Sequence, residues 1–432
     1  MFWQKDIELI SPADLAALQL KRLRATLRQA LRAPFYQKRL AGLGLGPESI
    51  KTLDDVRRLP LTSKEDLRAG FPYEFLAVPL EAVVRLHASS GTTGTPTAVY
   101  HTQADLDTWT NLVARCLYMA GVRRADVFQN LTGYGLFTGG LGLHYGAERL
   151  GAMVIPAGAG NSRRQVSLMR QFSTTVLHII PSYAVRILET FQAQGLDPRR
   201  DSHLRLAVLG AEPHSEDLRR RVERGFGVRA VNSYGLSEMN GPGVAFECPE
   251  QDGMHLWEDA YLLEVVDPAT LEPVPEGQIG EIVLTTLARQ AMPIIRYRTR
   301  DLASVLPGPC ACGRGHRRLS RISGRSDDMF IVKGVNIYPL QVESVLMGCP
   351  DVGNNYLIVL SRQGASDHMT VRVEVAEKAR TLSGEEMRAL SRHLAAALKD
   401  ELLVSAQVEL VAPMSLYAGP GKAQRVRDER PA

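Results

Sequence analysis

The 432-residue chain predicts an α/β protein: a large domain with mostly parallel sheets and a β-rich subdomain, followed by a small C-terminal α+β domain. Three observations carry this. From about residue 80 to 305, short β-branched runs alternate with helical stretches and turn residues. The runs from Val176 to Ile180, Leu206 to Leu209 and Val228 to Val231 are apolar almost throughout, as strands covered on both faces require. At roughly 150 residues per domain, the length calls for two or three cores.

Residues 1–80 form a helical N-terminal segment of the large domain. Between Ala13 and Ala33, leucines at 15, 18, 20, 23, 27 and 31 lie among Lys21, Arg22, Arg24, Arg28 and Arg32, which predicts an amphipathic surface helix with a solvated basic face. Residues 81–326 complete the large domain. In a parallel sheet the ligand site lies at the carboxyl ends of the strands, and there stand Pro181-Ser182, Gly210-Ala211-Glu212-Pro213 and Ser233-Tyr234-Gly235. The stretch from Ala157 to Ser162 reads as a flexible loop.

From about 245 to 326 the texture becomes β-rich, with alternation between Glu281 and Leu287. Residues 327–432 then read strand, helix (341–347), strand (356–360), strand (369–375), long helix (384–402) and strand (407–411), an α+β sandwich with a loop after its last strand.

Lys plus Arg number 51 against 47 for Asp plus Glu, a net charge of +4, so no nucleic-acid partner is expected. No apolar run approaches the roughly 20 residues that span a bilayer. The N-terminus lacks the order of a secretory signal, which leads to a cytoplasmic expectation. Five cysteines make no disulfide scaffold. Cys248, His255, Cys310 and Cys312 offer three sulfurs and an imidazole, enough for a closed structural zinc site, although Cys-x-Cys is tighter than the usual zinc spacing.

Ser89-Ser90-Gly91-Thr92-Thr93-Gly94-Thr95-Pro96 combines glycine-freed backbone N–H groups with hydroxyl donors, a neutral cradle for polyphosphate. It is no Walker loop, since no Gly-Lys-Ser/Thr closes it. Further on come Tyr234-Gly235-Leu236-Ser237-Glu238, Arg298-Thr299-Arg300-Asp301, Gly324-Arg325-Ser326-Asp327-Asp328, Lys333 to Pro339, and Gly421-Lys422-Ala423. In this order the segments resemble the adenylate-forming superfamily of acyl-CoA synthetases and adenylation domains. Tyr134 to Gly140, Leu143 to Glu148, Gly210 to Pro213 and Gly324 to Pro339 further resemble the phenylacetate–CoA ligase family, across nearly the whole chain.

The resemblance implies a small domain that rotates about a hinge at Asp327. It implies ATP, Mg2+ and coenzyme A, with an aryl or arylacetic acid joined first to AMP and then to CoA, and a homodimer. By the same resemblance Ser89, Ser90, Gly91, Thr92, Thr93 and Gly94 hold the phosphates, Gly210, Ala211, Glu212 and Pro213 line adenine, and the ring of Tyr234, in Asn232 to Gly235, flanks it. Glu238 holds magnesium, Asp301 the ribose, Arg325 contacts the nucleotide, Lys422 is the catalytic lysine, and Tyr134 and Phe137 help form the acid pocket.

Two departures stand out: Thr95 replaces a common Lys, and the loop before Lys422 lacks a frequent Pro-Arg. Transfer to a carrier-protein thiol remains open as an alternative, though no fused carrier domain is seen. A nucleotide-binding protein without turnover is a more distant one, since it would be expected to lose Lys422 or Glu238.

Overall fold

The leucine-rich basic stretch folds as the helix Pro12–Ala30, opened by Ser11, whose Oγ accepts from the Asp14 amide, and by proline at the first turn. Leu15, Leu23 and Leu27 are buried beneath it. Part of the basic face is anchored: Arg24 Nε donates to the Ile50 carbonyl at 2.7 Å. The computed structural model describes residues 1–88, 96–363, 366–416 and 425–430. Ser89, Ser90, Gly91, Thr92, Thr93, Gly94 and Thr95, together with Lys422, lie outside the described residues.

A nine-stranded sheet organises the large domain. Met153–Ile155, Val127–Asn130, Val176–Ile179, Leu206–Leu209 and Arg229–Leu236 run parallel in that spatial order. Every residue of Val176–Ile179 and of Leu206–Leu209 is buried, as their unbroken apolar runs require. Gly241–Glu247 then pairs antiparallel with Arg229–Leu236, and Met254–Leu256, Arg318–Leu319 and Val305–Leu306 extend the sheet. Ser233-Tyr234-Gly235 therefore lies within a strand that continues past the parallel region.

The β-rich part is a four-stranded antiparallel sheet of Tyr261–Val266, Gly280–Thr286, Tyr297–Ala303 and Gly324–Arg325. Its alternation does not mark a wet face, because all of Gly280–Thr286 is buried. Glu281, with 0% exposure, is ion-paired there to Arg298 at 2.8 Å.

The small domain has a hairpin, Phe330–Val332 with Val335–Ile337, the helix Pro339–Gly348, and the antiparallel pair Val352–Gln363 and Ser366–Val375. The helix Gly384–Leu402 precedes Gln407–Val411, which lies parallel to Ser366–Val375. A further strand, Val426–Asp428, pairs parallel with Val352–Gln363, so the lysine segment precedes a strand instead of following the last one. One apolar cluster joins Val185, Val222 and Phe226 of the large domain to Val342, Leu346 and Ile358 of the small one. Among the described residues, no helix is long and apolar enough to cross a membrane.

Candidate active site

The site begins where two parallel strands end. A side chain at Gly210 would collide with the Ser233 hydroxyl, so glycine lets the end of Leu206–Leu209 press against its neighbour. Ser233 Oγ donates to the Leu209 carbonyl at 2.9 Å, and the Asn232 amide donates to Glu247 at 2.7 Å. Ala211 takes a left-handed φ of 73°, which turns the chain outward. Glu212 then accepts from the Ser182 amide at 2.7 Å, placing its carboxylate at the start of the helix Pro181–Ala193.

A register shift between Tyr234 and Gly235 re-aims the strand. Tyr234 Oη donates to Asp301 Oδ2 at 2.7 Å, while Arg325 Nη1 donates to Asp301 Oδ1 at 3.1 Å. The partnership follows from pairing, because Asp301 and Arg325 sit opposite each other in the β-rich sheet. Arg325 also grips Asp327 through Nε and Nη2, both at 2.9 Å. Burial, and next the Asp301 charge, push the Tyr234 phenol well above its ordinary range, so it stays a donor.

Glu238 lies in the short turn Ser237–Met239 and is 6% exposed. The Tyr297 phenol lies beside it, and burial followed by the Glu238 charge raises that phenol's pKa. Arg289, fully enclosed, donates to the Glu238 carbonyl at 2.5 Å. Sequence reasoning missed Tyr297 and Arg289. Tyr297 directly precedes Arg298 and was legible as part of that segment; Arg289 carries no local signal.

Tyr134 Oη accepts from Asn130 Nδ2 at 3.0 Å and lies 3.2 Å from His144 Nδ1, whose Nε2 is 2.9 Å from Glu148. Phe137 is 53% exposed, just before the helix Thr138–Leu150. A cavity of about 340 Å³ lies between Glu212, Pro213 and Arg325 of the large domain and Leu340, Glu343, Tyr356 and Arg425 of the small one.

Far along the sheet, Cys248, His255, Cys310 and Cys312 bring their ligand atoms within 4.8 Å of one another. Cys248 Sγ and Cys310 Sγ are 3.7 Å apart, matching the tetrahedron edge of about 3.8 Å that a Zn–S bond of about 2.3 Å dictates. Cys312 Sγ is 3.2 Å from His255 Nε2, and His255 Nδ1 donates to the His316 carbonyl at 3.2 Å. That second bond puts the proton on Nδ1 and leaves Nε2 as a ligand lone pair, so the donor set fits zinc.

A mixed α/β sheet with a turn and an acidic tyrosine partner at its strand ends, covered by a separate α+β domain, defines an adenylate-forming enzyme. The family model for the AMP-binding enzyme matches residues 50–288, and that for the AMP-binding enzyme C-terminal domain matches 334–430. Phenylacetate-coenzyme A ligase of Pseudomonas putida is 44% identical over 100% of this chain and 99% of its own. The enzyme of that name from Thermus thermophilus is also 44% identical, over 100% of both.

Among solved structures, 2-hydroxyisobutyryl-CoA ligase in the postadenylation state with 2-HIB-AMP superposes with a TM-score of 0.94 at 31% identity, covering 99% of this chain and 92% of that one. The same ligase in the thioesterification state, with 2-HIB-AMP and CoA, gives 0.74 at 32% identity over the same shares. The chain belongs to the phenylacetate–CoA ligase family of AMP-binding enzymes.

Proposed function

We propose that this chain is an AMP-forming acid–thiol ligase that activates an aryl or arylacetic acid with ATP and passes it to coenzyme A. The observation that carries the reading is 44% identity, over the full length, to curated phenylacetate-coenzyme A ligases. A carboxylate oxygen is a poor leaving group until it is adenylated. In the first step the acid's oxygen attacks the α-phosphorus of ATP and pyrophosphate departs. In the second, the CoA thiolate attacks the acyl carbon and AMP leaves.

In this proposal Asp301 accepts from the ribose hydroxyls. The Tyr234 hydroxyl is spent on Asp301, which leaves its ring for adenine beside Gly210 to Pro213. Glu238, beside the Tyr297 phenol, would hold magnesium, which supplies charge neutralisation on the phosphates when bound. Residues 89–94 would cradle the pyrophosphate.

Lys422 would neutralise charge developing on the carboxylate and bridging oxygens, with no general base required. Rotation at Asp327 then exchanges one half-reaction for the other. Tyr134 and Phe137 would border the acid. A zinc ion at Cys248, His255, Cys310 and Cys312 would staple the antiparallel end of the nine-stranded sheet without taking part, since all four positions are protein ligands.

The deciding experiment is pyrophosphate release across phenylacetate, benzoate, anthranilate, indoleacetate and fatty acids, with and without CoA. Release with an aryl acid, completed to a thioester by CoA, is expected. Silence on every aryl acid would overturn the substrate class.

A further inference from the structure

The cavity between the domains holds a carboxylate that no step above uses. Glu343, on the helix Pro339–Gly348, is 4% exposed, yet it reaches across the domain boundary. Its Oε1 accepts from the backbone amide of Ser215 at 3.1 Å. Ser215 is the cap of the large domain's helix Glu216–Phe226 and lies two residues beyond the Gly210–Pro213 turn. Its Oε2 accepts from Tyr356 Oη at 3.2 Å. The Tyr356 ring in turn carries the Arg425 guanidinium 4.2 Å from its centroid, immediately before Val426–Asp428. A contiguous chain of contacts thus runs from the nucleotide-side turn to the small domain's final strand.

We propose that Glu343 is a positioning residue: it clasps the small domain to the Ser215 end of the nucleotide turn and so holds the arrangement that carries the acyl adenylate before thioesterification. The proposal rests on the ligase reading. Two observations favour it. A buried carboxylate with one acceptor bond to each domain is costly unless both bonds persist, so the contact is specific to this arrangement. The chain also superposes at 0.94 on the postadenylation neighbour but at 0.74 on its thioesterification form, at nearly equal identity.

The clasp is also proton-linked. Burial is the main force raising Glu343 to about 7; Arg425 opposes it, Glu212 adds to it, and the Ser215 amide and Tyr356 hydroxyl oppose it. Arg325 and Asp328 line the same cavity. A carboxyl raised when clasped and ordinary when released binds its proton more tightly in the clasped form. Lowering the pH through about 7 therefore favours the clasp, and raising it loosens the clasp.

The test uses the full chain with Glu343→Ala and with Glu343→Gln, the latter able to keep both hydrogen bonds. Glu343→Ala is expected to slow pyrophosphate release roughly tenfold or more, while conversion of a supplied acyl adenylate and CoA to thioester is kept. Glu343→Gln should restore adenylation to within about threefold, without the wild type's pH dependence near 7. Hydrogen exchange at the Ser215 amide, measured without substrate, reads the contact itself: protection should fall in Glu343→Ala and persist in Glu343→Gln. Unchanged Ser215 protection in Glu343→Ala, equal loss of both half-reactions, or failure of Glu343→Gln alongside it would overturn the proposal. Failure of the wild type on every acid would strike the ligase reading alone, and the exchange measurement would still decide the clasp.

Discussion

Tyr234 and Asp301, 67 residues apart in the chain, meet in a 2.7 Å hydrogen bond from phenol to carboxylate. Each arrives on a different sheet: Tyr234 on the strand Arg229–Leu236, Asp301 on Tyr297–Ala303. The bond ties the two sheets at the point where the nucleotide is proposed to bind. Asp301→Ala should raise the KM for ATP by roughly tenfold to a hundredfold, since a charged acceptor is lost and Arg325 keeps only its other partners, Asp327 among them. Tyr234→Phe, which keeps the ring, should cost only a few-fold. Steady-state kinetics at varied ATP checks both; equal effects would contradict the separation of roles.

Lys422→Ala should slow pyrophosphate release by two orders of magnitude or so, as loss of an electrostatic contact to a developing charge does elsewhere. A supplied acyl adenylate should still yield thioester. Single-turnover measurements of each half decide the point, and equal loss of both would refute the role.

Metal analysis of the purified protein should find close to one zinc per chain. Cys310→Ser or Cys312→Ser should abolish it and lower the melting temperature by several degrees, without selectively slowing either half-reaction. A metal-free wild type of unchanged stability would contradict the structural zinc.

Removing Glu281 strands Arg298 and takes Ser326 Oγ's acceptor as well, 3.0 Å away. Glu281→Ala should destabilise the fold by about 3–5 kcal/mol, as breaking a buried pair does. Urea unfolding measures this, and a loss below about 1 kcal/mol would show that the pair is not buried as described.

Burial lowers His178 to about 3, and it sits neutral beside Asn130, 2.8 Å from Oδ1. Unfolded, the same ring takes a proton near the ordinary histidine pKa of about 6.5. Its contribution is therefore present above pH 6.5 and is lost as the pH falls from there toward 3. Between pH 6.5 and 5 the wild type should lose roughly 2 kcal/mol more than His178→Gln. Urea midpoints at those two pH values test it; equal losses would mean that the ring is solvated.

Local patterns alone determined the parallel strands, the two-part plan and the small domain's helices, because unbroken apolar runs and capped periodic stretches carry their burial in neighbouring residues. The segments around Gly210, Tyr234, Asp301 and Arg325 were likewise legible as motifs, and so were the four metal-ligand types. What only tertiary structure decided is who meets whom. Gly280–Thr286 is buried along its whole length despite its alternation, since the elements that cover it are distant in sequence. Arg289 on the Glu238 carbonyl, and Glu343 reaching Ser215 across the domain boundary, had no local signature: a hydrogen bond between remote segments leaves no periodicity, and only packing brings its two ends within reach.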